Sequence, residues 1–145
     1  MNRTVTIARF APVDLATMAV QAVQTELAGD RLALGQSYDA MGRCFTVRWA
    51  GTDDVVMCAG ALESHAGYVT LWASLAPGAR RAMPEITRAV ALFVSRLDHR
   101  RVDTNVRSDH AAGHRWVHRL GFVPEARLND YYSDGGDAVI YRLKR

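Results

Sequence analysis

Seven stretches of this chain are either alternating or continuously apolar over the length of a strand, and each predicts a β-strand. Turn residues separate several of them, and Gly51-Thr52-Asp53-Asp54 predicts a hairpin between the second and third. The fourth is apolar nearly throughout, which is typical of a central strand. The predicted strands are Thr4–Phe10, Cys44–Trp49, Val55–Leu62, Tyr68–Leu75, Arg101–Arg107, Phe122–Leu128 and Ala138–Leu143.

Apolar residues at helical spacing predict three helices between these strands. The first begins at Pro12 and is closed by Gly29, and the second begins at Pro84. The third has Asp109 as its N-cap and Gly121 as a left-handed C-cap residue. Residues 30–42 fit either a short helix or a loop. The predicted helices span 12–29, 84–97 and 109–120.

The order of these elements predicts an α+β fold with a mixed, mostly antiparallel sheet and helices on both faces. The order is strand, helix, three-strand meander, helix, strand, helix and two strands. The chain has 145 residues, of which 49% are hydrophobic. One domain over 1–145 can therefore bury a substantial core.

Composition excludes several classes of protein. No apolar run is long enough to cross a bilayer, and the N-terminus lacks the apolar core of a signal peptide, so a cytoplasmic protein with no membrane partner is expected. Cys44 and Cys58, the only cysteines, have no metal-like spacing and are expected to be reduced, buried thiols. The net charge of +3 comes mostly from arginine, with Lys144 the only lysine. A solvated basic surface is favoured over a nucleic-acid interface, because no docking motif is present.

The segment from Asp109 to Phe122 is the most specific motif in the chain. It reads Asp-His-Ala-Ala-Gly-His-Arg-Trp-Val-His-Arg-Leu-Gly-Phe, with Trp116, Val117 and Leu120 on one helical stripe. It resembles a motif of the GNAT family of N-acetyltransferases, roughly Asp-Asn-x-x-Ala followed by Tyr-x-Lys-Leu-Gly-Phe. The opening residues and the order of elements are also similar. The resemblance implies a GNAT-type fold, acetyl-CoA as cofactor, and a small-molecule or protein amine as acceptor.

The family's pyrophosphate loop is altered in this chain. Its pattern, Pro-x-x-Arg-Gly-x-Gly-x-Gly or Ala, lets backbone N–H groups approach a phosphate at a helix N-terminus. Pro77 and Arg80 match, but Arg81, Met83 and Glu85 occupy the small positions. Phosphate contacts would therefore come from arginine side chains. The cofactor contacts that the resemblance implies are Ser74, Leu75, Gly78, Ala79, Arg80, Arg81 and Ala82.

Three residues are candidates for the proton transfers of an acyl transfer. The tyrosine that acts as general acid in the family corresponds to Val117, which has no proton to donate. The family's asparagine corresponds to His110. Glu63 is the first choice for a base, His110 for an acid or a base, and Tyr131 for a replacement acid in the loop before the last strand. The plainer interpretation makes each a turn or surface residue. His110 and His114 share a helix face, but no further metal ligand has suitable spacing.

A looser resemblance links the chain to compact GNAT-like proteins encoded among tailed-phage structural genes. The matching pieces are Trp72, Arg80–Arg88, Arg115-Trp116 and Tyr131–Gly136. Together with the altered loop, this likeness favours an alternative hypothesis: a non-catalytic module with protein assembly partners, located in a virion. Homodimer formation is left open by the sequence.

Overall fold

The computed structural model describes residues 4–21 and 29–145. Within these residues the strands follow the predicted positions closely, and four α-helices and one 3-10 helix lie between them. The strands are β1 Val5–Arg9, β2 Gly42–Trp49, β3 Val55–His65, β4 Tyr68–Leu75, β5 Arg101–Arg107, β6 Phe122–Leu128 and β7 Ala138–Leu143. The helices are α1 Pro12–Thr17, α2 Arg31–Met41, the 3-10 helix Pro77–Ala82, α3 Met83–Ser95 and α4 Ala111–Arg119.

All seven strands form one sheet in the order β1-β2-β3-β4-β5-β7-β6. Every neighbouring pair is antiparallel except β4 and β5, which are parallel because α3 crosses over between them. The α+β prediction of a mixed, mostly antiparallel sheet is therefore confirmed. No helix in the described parts of the chain is long and apolar enough to cross a membrane.

Helices cover both faces of the sheet, as the element order predicted. On one face Ile86, Val90 and Val94 of α3 pack on Val47 and Ala59, and a second cluster includes Val117 of α4. On the other face Leu15 of α1 packs against Phe10 and Cys58, with Tyr38 of α2 beside them. We call these the α3/α4 face and the α1/α2 face.

A buried carboxylate anchors α1 to the sheet. Asp14 is almost completely buried and accepts hydrogen bonds from the Thr46 hydroxyl at 2.8 Å and the Arg48 guanidinium at 2.5 Å, both on β2. It also accepts the N–H of Ala11 at 3.0 Å, at the start of α1. Because a buried charge needs such partners, this group fixes where α1 leaves the sheet.

The first predicted helix is wrong in its extent. The helix ends at Thr17, and Met18 is extended (φ −68°, ψ 148°) because its buried side chain packs with Phe10 and Leu15 in the core. The predicted helix also covers residues 22–28, which lie outside the described residues. The open question at 30–42 resolves as helix α2, whose N-cap Asp30 accepts the N–H of Ala33 at 3.1 Å.

The predicted N-cap of the helix over 109–120 is also wrong. His110 is the N-cap residue and makes no capping hydrogen bond with its side chain. The carboxylate of Asp109 lies 3.6 Å from Arg107 instead, so its charge serves an ion pair at the end of β5. The predicted left-handed C-cap is confirmed, since Gly121 has φ +97°.

Replacing Gly121 by alanine is expected to lower the free energy of unfolding by about 1–2 kcal/mol, the cost of a left-handed backbone at a residue with a Cβ. The nearest atom to such a Cβ, Leu143 Cδ1 at 3.6 Å, is at ordinary contact distance, so the backbone conformation causes the loss. Urea denaturation of the variant measures it. Gly51→Ala, whose Cβ would meet nothing within 4 Å, is the control and should change stability by less than about 0.5 kcal/mol.

Candidate functional site

The two parallel strands at the centre of the sheet separate toward their carboxyl ends. β4 pairs with β5 only from Tyr68 with Arg101 to Leu71 with Thr104. At the last pair the Thr104 hydroxyl donates to the Leu71 carbonyl at 3.0 Å. Beyond it, β4 stays paired with β3 while β5 stays paired with β7. We call this opening the fork.

A pocket of about 50 Å³ lies at the fork on the α3/α4 face. Its lining is almost wholly apolar and comes from the sheet below and both helices above. Val117, the position that the resemblance gives to the family's tyrosine, is one of the lining residues. The lining residues are Phe45, Ala59, Gly60, Leu71, Trp72, Ala73, Val90, Phe93, Thr104, Trp116, Val117, Leu120 and Phe122.

A hydrogen bond joins the two helices that cover this pocket. The indole Nε1–H of Trp116 on α4 donates to the hydroxyl of Thr87 on α3 at 3.0 Å. A ligand that passed between α3 and α4 at this level would have to break the bond. Trp116 therefore controls the width of the groove between the helices.

The segment expected to hold a pyrophosphate is a 3-10 helix rather than an open loop. In such a helix each N–H donates to the carbonyl three residues earlier, so few backbone donors remain for an anion. Ala79 and Ala82 are fully buried and pack in the core, whereas Arg80 and Arg81 are exposed. Among the described residues neither arginine has an ion-pair partner, and a Cβ on Gly78 would meet nothing within 4 Å. An anion here would meet guanidinium groups rather than a backbone cradle.

Ser74 and Leu75 point their backbone groups in opposite directions. The Leu71 carbonyl accepts a hydrogen bond from β5, and the backbone groups of successive strand residues alternate between the two edges of a strand. The backbone groups of Leu75 therefore also face the fork, while those of Ser74 face β3. The Leu75 carbonyl accepts the N–H of Gln21 at 3.2 Å. Gln21, which follows α1, thus lies against the edge of β4 at the open end of the fork.

Tyr131 lies on the opposite side of the fork from the pocket. Its hydroxyl accepts a hydrogen bond from the side-chain amide of Asn105 at 3.0 Å, and Asn105 directly follows the last residue of β5 paired with β4. Val102 and Val106 pack in the core of the α3/α4 face, so the alternation along β5 places Asn105 on the α1/α2 face. Nearly half of the Tyr131 surface is exposed.

Arg107 holds the loop of Tyr131 in place. Its guanidinium donates to the Asp134 carboxylate and lies 4.7 Å from the centre of the Tyr132 ring. The Arg107 hydrogen bond lowers the pKa of Asp134 from 3.8 to about 2, with help from the Gly136 N–H. The loop between β6 and β7 is therefore tied to the end of β5.

His110 and His114 occupy different environments. The His110 ring packs over Gly113 at the start of α4, and burial followed by the nearby His114 lowers its pKa below the usual 6.5. His114 is half-buried. The Tyr141 hydroxyl donates to its Nδ1 at 2.6 Å, and its Nε2–H donates to the Ser108 carbonyl at 3.0 Å. Neither ring lines the pocket. His114 has a positioning role, because it fixes the loop between β5 and α4.

Glu63 lies toward the other end of the sheet. It is in register with Val69, on the paired side of the fork, and its Oε1 contacts His99 Nε2 at 3.1 Å. His99 follows α3 just before β5 begins. The structure thus brings Tyr131 to the fork and places His110 near its open end, and it does not bring Glu63 to either.

Asn105 and Thr104 are site residues that sequence reasoning missed. Both sit in a strand that was recognised by alternation alone, and their importance depends on where β4 stops pairing. Asp103, one residue earlier, is also buried and accepts from Tyr68 at 2.7 Å and Thr70 at 2.8 Å. The signal available in the sequence was the run of three polar residues, Asp103 to Asn105, inside a predicted strand.

The two cysteines are free, as predicted, but only Cys58 is fully buried, whereas Cys44 is partly exposed. Both are poor nucleophiles. Burial raises the pKa of the Cys44 thiol to about 11 and that of Cys58 to about 12, so both stay protonated near neutral pH. The described parts of the chain hold no group of three His, Cys, Asp or Glu side chains that could bind a metal ion.

Comparisons with solved structures identify the fold. The ribosomal-protein-S18-alanine N-acetyltransferase of Escherichia coli is 18% identical, with a TM-score of 0.74 over 97% of this chain and 93% of that one. Ard1 of Thermoplasma volcanium is 21% identical, with a TM-score of 0.73 over 97% and 99%. A GNAT-family acetyltransferase of Bacillus anthracis is 11% identical, with a TM-score of 0.66 over 96% and 93%. At these identities the likeness establishes a GNAT fold.

Comparisons of the sequence identify no family for this chain. No protein-family model matches the chain, and no curated protein matches it significantly.

The tie between Arg107 and Asp134 is expected to weaken only in strong acid. The folded-state pKa of Asp134 is depressed, so its contribution to stability is present above about pH 5 and is lost as the pH falls toward about 2. The difference in Tm between the natural protein and Asp134→Asn should be constant at neutral pH and vanish near pH 2. A constant difference down to pH 2 would contradict the assignment.

Proposed function

We propose that this protein transfers an acetyl or other short acyl group from a coenzyme A thioester to an amine. The fork supports this proposal best. It opens the sheet between an apolar pocket on the α3/α4 face and the Asn105–Tyr131 pair on the α1/α2 face. A thioester that entered from the pocket could meet an amine in this opening. The GNAT fold adds support, since the similar structures are N-acetyltransferases by name.

Arg80 and Arg81 would bind the phosphates of the donor. Both are exposed at the open end of the fork, next to the N-terminus of α3. Guanidinium groups bind phosphates through charge-assisted, bidentate hydrogen bonds and do not need a glycine-rich backbone. Arginine side chains thus compensate for the backbone donors that the 3-10 helix uses internally.

Tyr131 is the group we assign as general acid. Its oxygen accepts a hydrogen bond from Asn105, which leaves the hydroxyl proton free to be donated to the departing thiolate. The acid thus comes from the loop before β7, whereas the position on α4 holds Val117. This assignment would supply the proton without a tyrosine on α4.

His110 is the better placed of the two predicted bases. It lies between β5 and α4, at the end where the fork opens, and its lowered pKa keeps the imidazole neutral near pH 7. A neutral imidazole can accept the proton that the attacking amine loses, through an intervening water. Glu63 is left as a surface carboxylate paired with His99.

A non-catalytic module that packs against other proteins, such as a virion component, is the second candidate. It is favoured by the contacts that already occupy the fork. Gln21 covers the Leu75 carbonyl, and the bond from Trp116 to Thr87 narrows the groove between the helices. A thioester chain along β4 would have to exchange with the first contact and displace the second.

Calorimetric titration with acetyl-CoA separates the two candidates. The natural protein is expected to bind at micromolar concentration, and Arg80→Ala or Arg81→Ala to weaken binding about tenfold each through loss of a charge-assisted hydrogen bond. Arg96→Ala, at the opposite end of α3, is the matched control and should bind normally. Absence of binding by the natural protein at millimolar acetyl-CoA would support the non-catalytic module instead.

Tyr131→Phe is expected to lower kcat at least about a hundredfold, because the leaving thiolate loses its proton donor. The Kd for acetyl-CoA should stay unchanged. Transfer is measured as thiol release with a panel of amines that includes a polyamine and a peptide with a free N-terminus. Tyr132→Phe is the matched control and should retain activity. An unchanged kcat for Tyr131→Phe would remove Tyr131 from the reaction.

A further inference from the structure

We propose that the protein forms a two-fold symmetric dimer in which β1 pairs antiparallel with β1 of a second copy, with Ile7 at the symmetry axis. The surface involved is the outer edge of β1, which has no partner strand among the described residues. β2 and β3 separate it from the fork, so the dimer does not depend on the proposed function.

Every second residue of β1 directs its backbone groups away from β2. The N–H of Ala50 donates to the Thr4 carbonyl at 2.9 Å, at the end of the ladder between β1 and β2. In an antiparallel ladder, hydrogen-bonded residues alternate with residues whose backbone groups point to the other side. Three N–H and three C=O groups are therefore available to another strand. They belong to Val5, Ile7 and Arg9.

The side chain at the centre of this edge is apolar and exposed. Ile7 has 57% of its surface exposed, the highest value among the exposed large apolar residues in the described parts of the chain. Val5 packs partly against the core of the α3/α4 face, so the alternation along β1 places Ile7 and Arg9 on that face as well. An exposed β-branched residue with outward backbone groups favours strand pairing.

The opposite edge of the sheet, β6, carries features that prevent such pairing. Pro124 has no N–H to donate, and the pairing register with β7 shifts between Pro124 and Ala126. Glu125 and Arg127 place ion-paired side chains along the same strand. Proteins protect exposed sheet edges in these ways. β1 contains no proline, and its register with β2 does not shift, so only this edge is open to a partner strand.

The edge of β1 is complementary to itself in hydrogen bonding. With a two-fold axis at Ile7, the Ile7 side chains of the two copies lie side by side, and Val5 lies opposite the partner's Arg9. Each chain then donates three backbone hydrogen bonds and accepts three, so every outward group is paired. An interface of this kind, with the same surface on both copies, closes as a dimer.

Charge also favours a second copy in the antiparallel direction. Asp53 and Asp54 lie in the hairpin beside the start of β1, whereas Arg9 lies at its other end. All three are exposed, and none has an ion-pair partner among the described residues. Antiparallel pairing brings the basic end of each β1 toward the acidic hairpin of the other copy, which favours this orientation during association.

Sedimentation velocity of the natural protein tests the dimer. The mass of two chains is expected at micromolar concentration. Ile7→Lys should give a folded monomer, because two ammonium groups would meet at the axis while the pairing of β1 with β2 is kept. Arg9→Glu, a second variant at an exposed position, should weaken the dimer at least about tenfold. Met41→Lys is the matched control, since Met41 is 56% exposed on α2, and it should remain dimeric.

Engineered disulfides test the register. In the proposed pairing Thr6 lies opposite the partner's Ala8 as a non-hydrogen-bonded pair, in which Cα atoms are about 4.5 Å apart. That separation suits a disulfide. The double variant Thr6→Cys with Ala8→Cys should therefore form covalent dimers on oxidation. Each single variant places its cysteine opposite a residue without a thiol and should form none.

Each outcome decides the proposal. A natural protein that stays monomeric at millimolar concentration overturns the dimer and leaves this edge to a strand of another protein. A dimer that survives both Ile7→Lys and Arg9→Glu, or cross-linking by the single variants as readily as by the double variant, overturns this edge and register. Weaker association in whichever of the two variants folds by circular dichroism, with cross-linking confined to the double variant, supports it.

Discussion

The site depends on the short length over which the two parallel strands are paired. β4 and β5 share four residue pairs and then part after Leu71 and Thr104, because β5 continues with β7 as its partner while β4 continues with β3. The Thr104 hydroxyl closes the last pair by donating to Leu71. An opening in the middle of a sheet would normally be filled by side chains, and here it is bordered on one face by small and apolar residues. Pocket, donor path and acceptor side all follow from that separation.

The proposed cofactor segment and the proposed acid both differ from the GNAT pattern that the sequence resembles. A 3-10 helix stands where that pattern has an open glycine loop, so in the proposed site Arg80 and Arg81 would supply the charge for anion binding. The position on α4 that would hold an acid is Val117, while Tyr131 presents a hydroxyl at the fork from the loop before β7. In the proposed site, two functions would thus lie on side chains and a loop rather than on backbone and helix. Substitutions that look like losses in one motif are compatible with a site assembled from different elements.

The sequence predicted the strands well because their apolar pattern reflects burial on a sheet. It failed where tertiary contacts override local preference: Met18 is extended because its side chain enters the core, and Asp109 prefers Arg107 to a capping role. The role of Asn105 could not be predicted, because it depends on where β4 stops pairing with β5. The same holds for the Gln21 contact with β4, which joins residues far apart in the chain.

The most direct test of the fork as a ligand channel is an amide proton–nitrogen NMR spectrum recorded during titration with acetyl-CoA. The account predicts that the largest shifts occur at the backbone amides of Leu71–Leu75 on β4 and of Val117–Leu120 at the end of α4. Shifts confined to the exposed arginines of the 3-10 helix would show phosphate attraction without entry into the fork. That result, or an unchanged spectrum at millimolar ligand, would contradict the central claim.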